Sequence, residues 1–185
     1  MEAFLVSLGI VALAEMGDKT QLLALVLAAR FRKPWPIVFG IFVATVVNHA
    51  LAGAAGAWVT SMIGPQLLRW ILAGSFIAMG VWMLIPDKLD EGEKERGSHL
   101  GVFGTTVVAF FFAEMGDKTQ IATVMLAARF PQWMAVVAGT TVGMMLANAP
   151  AVWFGERVTR LVPIRIVHVV SAAIFVLLGV AALLV

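Results

Sequence analysis

The stretch "AEMGDKTQ" occupies positions 14–21, in the middle of an apolar segment, and the same eight letters return at 113–120. Each copy sets two acids and one base where a bilayer-spanning chain ordinarily carries no charge. A charge at the bilayer centre costs about 2.5–3.5 kcal/mol on insertion scales, so six such residues add roughly 15–21 kcal/mol before any pairing. A cost of that size calls for a use or for mutual compensation, and it limits the folds open to the chain.

The surroundings make the position unusual. Of 185 residues, 61% are hydrophobic and 13% are charged, against about 45–50% and about 25% in a soluble domain. The chain therefore reads as a polytopic membrane protein with the lipid bilayer as its solvent. Cysteine is absent, which removes disulfides, thiolate metal sites and cysteine nucleophiles. The net charge of +2 and the pI near 9.4 do not point to nucleic acid, because the basic residues sit in short caps between apolar runs. Ala12-Leu13-Ala14 has the look of a signal-peptidase site. The opening Met1-Glu2 has no basic region before it, however, so the first segment is expected to be retained as a span.

Six apolar segments can each cross about 30 Å of hydrocarbon: 3–29, 37–59, 68–85, 101–128, 133–154 and 164–185. Arg30, Arg32, Lys33 and Pro34, then Gly64-Pro65, Pro131 and Pro163 punctuate them. The polar stretch 87–99 reads as a solvated loop. Nine basic residues follow segments one, three and five (Arg30, Arg32, Lys33, Lys88, Lys94, Arg96, Arg157, Arg160, Arg165), and two, Arg69 and Arg129, lie on the opposite side. By the positive-inside rule both termini face outward and the central loop faces the cytoplasm.

A shift of 99 residues aligns Leu13–Phe31 with Phe112–Phe130, and 13 of those 19 positions are identical. Weaker matches follow at Gly40 and Gly139, Phe76 and Phe175, Gly80 and Gly179. Each half then holds an odd number of spans, so the second enters the membrane from the other face, as in many secondary transporters. The expected fold is an all-α polytopic membrane protein of six transmembrane helices in two inverted-topology three-helix repeats. The expected units are 1–85, a cytoplasmic linker at 86–100, and 101–185.

On a continuous helix, Glu15 and Asp18, like Glu114 and Asp117, share a face, and Lys19 and Lys118 follow each Glu in the favourable i,i+4 orientation. Gly17 and Gly116 between the acids permit a helix break or a close backbone approach. If the two motifs cross near the midplane, four carboxylates and two ammonium groups leave a net charge of −2, which one divalent cation neutralises. The charge-compensating residues in this count are Lys19 and Lys118. Carboxylate, amide and hydroxyl oxygens suit hard cations such as Mn²⁺, Ca²⁺ and Mg²⁺, and the motif lacks the His and Cys of a zinc site. Without a cation the crowded carboxylates repel one another, so protons and metal become alternative occupants.

Thr20, Gln21, Thr119 and Gln120 are candidate additional ligands. So are Asn48 and Asn148, at nearly equivalent places in segments two and five; each equally suits a hydrogen bond at a broken helix. His49 has no counterpart in the second half, where Ala149 follows Asn148. It reads as a packing residue or a proton relay. His168 is expected at the interface and His99 in solvent.

"EMGDKT" at 15–20 and again at 114–119 resembles the doubled E-x-G-D-[KR]-[ST] signature of the Gdt-type cation/proton exchangers, and the layout matches along the whole chain. The resemblance implies export of Mn²⁺, also of Ca²⁺, in exchange for protons, with Glu15, Asp18, Glu114 and Asp117 as cation and proton sites. It implies metal and protons as substrates with no cofactor, no enzymatic activity, and a place in the bacterial inner membrane. A homo-oligomer is compatible with the chain. Two other readings are a passive cation channel lined by acids and an intramembrane aspartyl hydrolase using Asp18 and Asp117. The hydrolase needs two carboxylates sharing one proton, a state the adjacent lysines oppose.

Overall fold

The computed structural model describes residues 1–85, 100–155 and 164–184. Regular structure among them is entirely helical: α1 (Glu2–Glu15), α2 (Lys19–Phe31), α3 (Pro34–Met62), α4 (Pro65–Met83), α5 (Gly101–Glu114), α6 (Lys118–Arg129), α7 (Trp133–Phe154) and α8 (Ile164–Leu184). The central loop with Lys88, Lys94, Arg96 and His99, and the positions Arg157, Arg160 and Pro163, lie outside the described residues.

Local chemistry sets the helix ends. Arg32 closes α2 in the left-handed conformation at φ 52° and donates its N–H to the Ala28 carbonyl at 2.9 Å. Pro34 and Pro65 open α3 and α4, where a missing N–H costs nothing. Within α7, Pro150 removes the N–H that would bond the Leu146 carbonyl.

Among the described residues, four helices are long and apolar enough to cross a membrane: Pro34–Met62, Pro65–Met83, Trp133–Phe154 and Arg165–Leu184. The segments expected as single spans at 3–29 and 101–128 are each two shorter helices, broken at Met16–Asp18 and Met115–Asp117. This corrects the shared-face reading. Glu15 ends α1 and Asp18 precedes α2, so the i,i+3 and i,i+4 relations of a continuous helix do not hold across the motif.

Polarity is distributed inside out. Glu15, Asn48, His49, Glu114 and Asn148 are fully buried, whereas Phe39, Leu51, Trp58, Trp70, Ile166 and Leu177 are exposed. A surface of that kind suits lipid, not water. Apolar clusters flank the polar centre: one around Phe76, Phe175, Leu126 and Val136, the other around Leu23, Ile41, Ala44 and Phe110.

Close helix contacts rest on glycine. A Cβ at Gly139 of α7 would meet the Phe4 carbonyl oxygen of α1 at 2.3 Å, and one at Gly40 of α3 would meet the Phe103 carbonyl oxygen of α5 at 3.1 Å. A Cβ at Gly80 would lie 2.9 Å from the Ala172 oxygen, and one at Gly179 would lie 2.9 Å from the Ala73 oxygen. In both pairs of contacts the residues are related by the 99-residue offset. The second pair makes α4 and α8 antiparallel neighbours. In α3 and α7, Gly53 lies by Val137 and Trp35 packs edge-on against Trp153 at 5.4 Å, so these helices also run in opposite directions.

Candidate functional site

The two breaks have nearly the same backbone. Met16 sits at φ −65°, ψ 115°, Gly17 at φ 82° and Asp18 at φ −83°, ψ 170°. Met115, Gly116 and Asp117 follow with φ −66°, ψ 116°; φ 76°; and φ −75°, ψ 165°. The positive φ explains the glycine, since an L side chain there is strained. A glutamine staples each break from the following helix. Gln21 Oε1 accepts from the Gly17 N–H at 3.0 Å, and Gln120 Oε1 accepts from the Gly116 N–H at 2.6 Å. Gln21 Nε2 also donates to the Ala147 carbonyl of α7 at 3.0 Å, just before the proline of that helix.

The breaks bring acids together. Glu15, Asp18 and Asp117 are buried, and each offers a carboxylate oxygen within 4.8 Å of the others. Glu114 lies outside that trio but close enough to be repelled by Glu15 and Asp117. Each glutamate accepts a hydrogen bond from an asparagine of the other half of the chain. Glu15 accepts from Thr20 Oγ1 and from Asn148 Nδ2, the latter at 3.2 Å. Glu114 accepts from Thr45 Oγ1 at 2.8 Å and from Asn48 Nδ2 at 3.3 Å. Thr119 lies beside Glu15. The Asp117 Oδ1 caps α6 by accepting from the Lys118 N–H at 2.7 Å.

Oxygen remains available in this arrangement. Glu15 Oε1, Asn48 Oδ1 and Asn148 Oδ1 are buried with no hydrogen-bond partner among the described residues. Buried acceptors left so are costly unless a donor or a cation completes them. The C-terminal ends of α1 and α5 add partial negative charge from their last carbonyls. Carboxylate oxygens at the two breaks and amide oxygens of α3 and α7 form a hard, anionic donor set that fits Mn²⁺ or Ca²⁺.

A family model described as "Divalent cation/proton antiporter GDT1" matches residues 3–91 and 102–185. The chain belongs to this family.

Relatives agree with that placement in the GDT1 family. A Vibrio cholerae protein named "Putative manganese exporter" is 48% identical over 182 residues, covering 98% of this chain and 90% of its own. A GDT1-like protein of Synechocystis is 27% identical over 202 residues, covering 97% of this chain and 96% of its own. GDT1-like protein 5 of Arabidopsis thaliana is 27% identical over 221 residues, covering 100% of this chain and 96% of its own. No solved structure matches. GDT1 proteins are antiporters and not enzymes, which sets aside the hydrolase reading.

In this GDT1 chain some residues stand where the sequence did not place them. Lys118 Nζ donates to the Ile85 carbonyl beyond α4 and lies 6.0 Å from the centre of the Trp82 ring. Its ammonium group thus ties the second break to the end of α4, a role the charge count did not foresee. Lys19 is half-buried. His49 is fully buried, and both ring nitrogens lack a hydrogen-bond partner among the described residues. Thr45 was missed as a partner of Glu114. Its signal was its place three residues before Asn48, on the same face of α3.

Proposed function

We propose that the protein exports Mn²⁺, and also carries Ca²⁺, in exchange for protons by alternating access, with the cation held at the two helix breaks. The convergence of Glu15, Asp18 and Asp117 oxygens within 4.8 Å carries this reading. Glu114 joins them when a cation draws the carboxylates in, and Asn48 and Asn148 complete the shell through their amide oxygens. Gln21 and Gln120 act mainly as staples, since their oxygens already accept from the glycines. Thr20 orients Glu15 through its hydroxyl, with Thr119 beside the same carboxylate.

We propose further that the halves 1–85 and 101–185 are inverted three-helix repeats, each broken-helix pair serving as one span. The antiparallel pairing of α4 with α8 and of α3 with α7 supports this, as do the glycine contacts repeated at the 99-residue offset. Rocking of one half against the other would open the central acids to each side in turn. When metal leaves, protons neutralise the carboxylates, and this alternation couples the two fluxes. The basic residues after segments one, three and five support an inner-membrane placement with both termini outward and the linker at 86–100 in the cytoplasm.

Metal uptake into proteoliposomes under an imposed pH gradient tests the proposal. Mn²⁺ flux that collapses with the gradient supports exchange; flux indifferent to the gradient supports a passive channel instead. Comparing Mn²⁺, Ca²⁺, Mg²⁺ and Zn²⁺ ranks the substrates, and low Zn²⁺ transport is expected from a site without His or Cys.

A further inference from the structure

A cleft opens between α4, α6 and α8, where α4 begins and the other two helices end. It encloses a cavity of about 190 Å³ lined by Leu68, Arg69, Leu72, Ala128, Arg129 and Ala182. A second cavity of about 310 Å³ shares Leu68, Ala128 and Arg129 and extends the cleft toward Thr60 of α3. Two guanidinium groups thus border one space whose remaining walls are mostly apolar.

The charges in this cleft call for an anion. Arg69 Nε is buried with no hydrogen-bond partner among the described residues. An ionised donor so placed is costly until an acceptor reaches it. The Arg129 guanidinium lies 5.6 Å from the Phe130 ring centroid, within cation–π reach. No Asp or Glu is among the residues that line either cavity.

The depth of the cleft identifies the kind of anion. Trp70 is next to Arg69, and Trp58 is within one turn of Thr60; their exposures are 58% and 63%. Exposed tryptophans of this sort gather at the headgroup level of a bilayer. A guanidinium fork matches phosphate oxygens, and Leu68, Leu72 and Ala182 offer an apolar wall to acyl chain. A soluble phosphate has no use for that wall.

We propose that this cleft binds an anionic phospholipid, with the phosphodiester between Arg69 and Arg129 and an acyl chain along Leu68, Leu72 and Ala182. The site is separate from the acidic centre, and it stands or falls independently of the transport reading.

The test uses the purified full chain, delipidated in detergent, with phosphatidylglycerol, phosphatidylcholine or inorganic phosphate added. Native mass spectrometry counts retained lipid and thermal unfolding reports stabilisation. Phosphatidylglycerol should bind about tenfold more tightly than phosphatidylcholine, as expected for two arginines at an anionic headgroup. The Arg69→Gln/Arg129→Gln variant should lose that preference. Equal retention of the two lipids by the wild type overturns the proposal, whether or not the variant folds. An undiminished preference in the folded variant overturns it too, as does stabilisation by inorganic phosphate equal to that by phosphatidylglycerol.

Discussion

Asn148 of α7 donates its amide N–H to the Glu15 carboxylate of α1 at 3.2 Å, bridging 133 positions of sequence. Asn48 of α3 makes the equivalent bond to Glu114 of α5 at 3.3 Å. Each motif glutamate is therefore oriented by an asparagine from the other half of the chain. A hydrogen bond to a charged group contributes about 1.5–3 kcal/mol. Asn148→Ala and Asn48→Ala should each weaken apparent Mn²⁺ affinity by about tenfold or more, since that energy and an amide oxygen are lost together. Concentration dependence of Mn²⁺ transport in proteoliposomes checks this. Unchanged half-saturation in both variants would remove the asparagines from the site.

The break glycines give a second prediction. Gly17 and Gly116 hold φ of 82° and 76°. Nothing lies within 4 Å of a Cβ placed at Gly116, so Gly116→Ala tests conformation without a clash. Each left-handed alanine should cost about 1–2 kcal/mol. The thermal midpoint should fall, and transport should fall further because the following Asp is displaced. Full transport by Gly116→Ala would show that the break can do without its positive φ.

Glycine contacts between helices give a third. A Cβ at Gly80 would meet Val176 at 2.8 Å and the Ala172 oxygen at 2.9 Å, while one at Gly74 of the same helix meets nothing within 4 Å. Gly80→Ala should destabilise by about 1–3 kcal/mol through overpacking. Gly74→Ala should be neutral or stabilise by roughly 0.5–1 kcal/mol, as alanine does in a helix interior. Thermal unfolding in detergent reads both, and equal midpoints would deny the close α4–α8 approach.

Lys118 supplies the fourth. Its ammonium group reaches the Ile85 carbonyl and the Trp82 ring at the end of α4. Lys118→Met keeps the buried stem and removes the tether, a charge-assisted bond of about 1.5–3 kcal/mol. The transport rate should fall about tenfold, in line with that energy, while apparent Mn²⁺ affinity stays near wild type. A large change in affinity with little change in rate would return Lys118 to the role of counter-charge in the cation site.

Much of this was legible in the residues. The recurrence of "AEMGDKTQ" at a 99-residue offset pointed to four acids, of which Glu15, Asp18 and Asp117 gather while Glu114 stands outside that trio, and Gly17 and Gly116 allowed the breaks that the helices show. Helical spacing misled at the same point. Counting Glu15, Asp18 and Lys19 along one face presumes a regular helix, and a single positive φ at Gly17 ends it. What remained hidden depends on pairing across the chain. Thr45 meets Glu114 only because α3 lies along α5. Lys118 meets Ile85 only because α6 packs beside α4. No local pattern encodes the second meeting, and the place of Thr45 one turn before Asn48 points to the first only once Asn48 is known to face Glu114.

Proton release driven by Mn²⁺ in proteoliposomes, compared between wild type and Asp117→Asn, is the most direct measurement. Asp117 shares its oxygen cluster with Glu15 and Asp18, and asparagine keeps the size of the side chain while removing its charge. The wild type should move protons against Mn²⁺ in proportion to metal flux, and folded Asp117→Asn should do neither. Undiminished Mn²⁺-coupled proton movement in folded Asp117→Asn would contradict a cation site built on the two helix breaks.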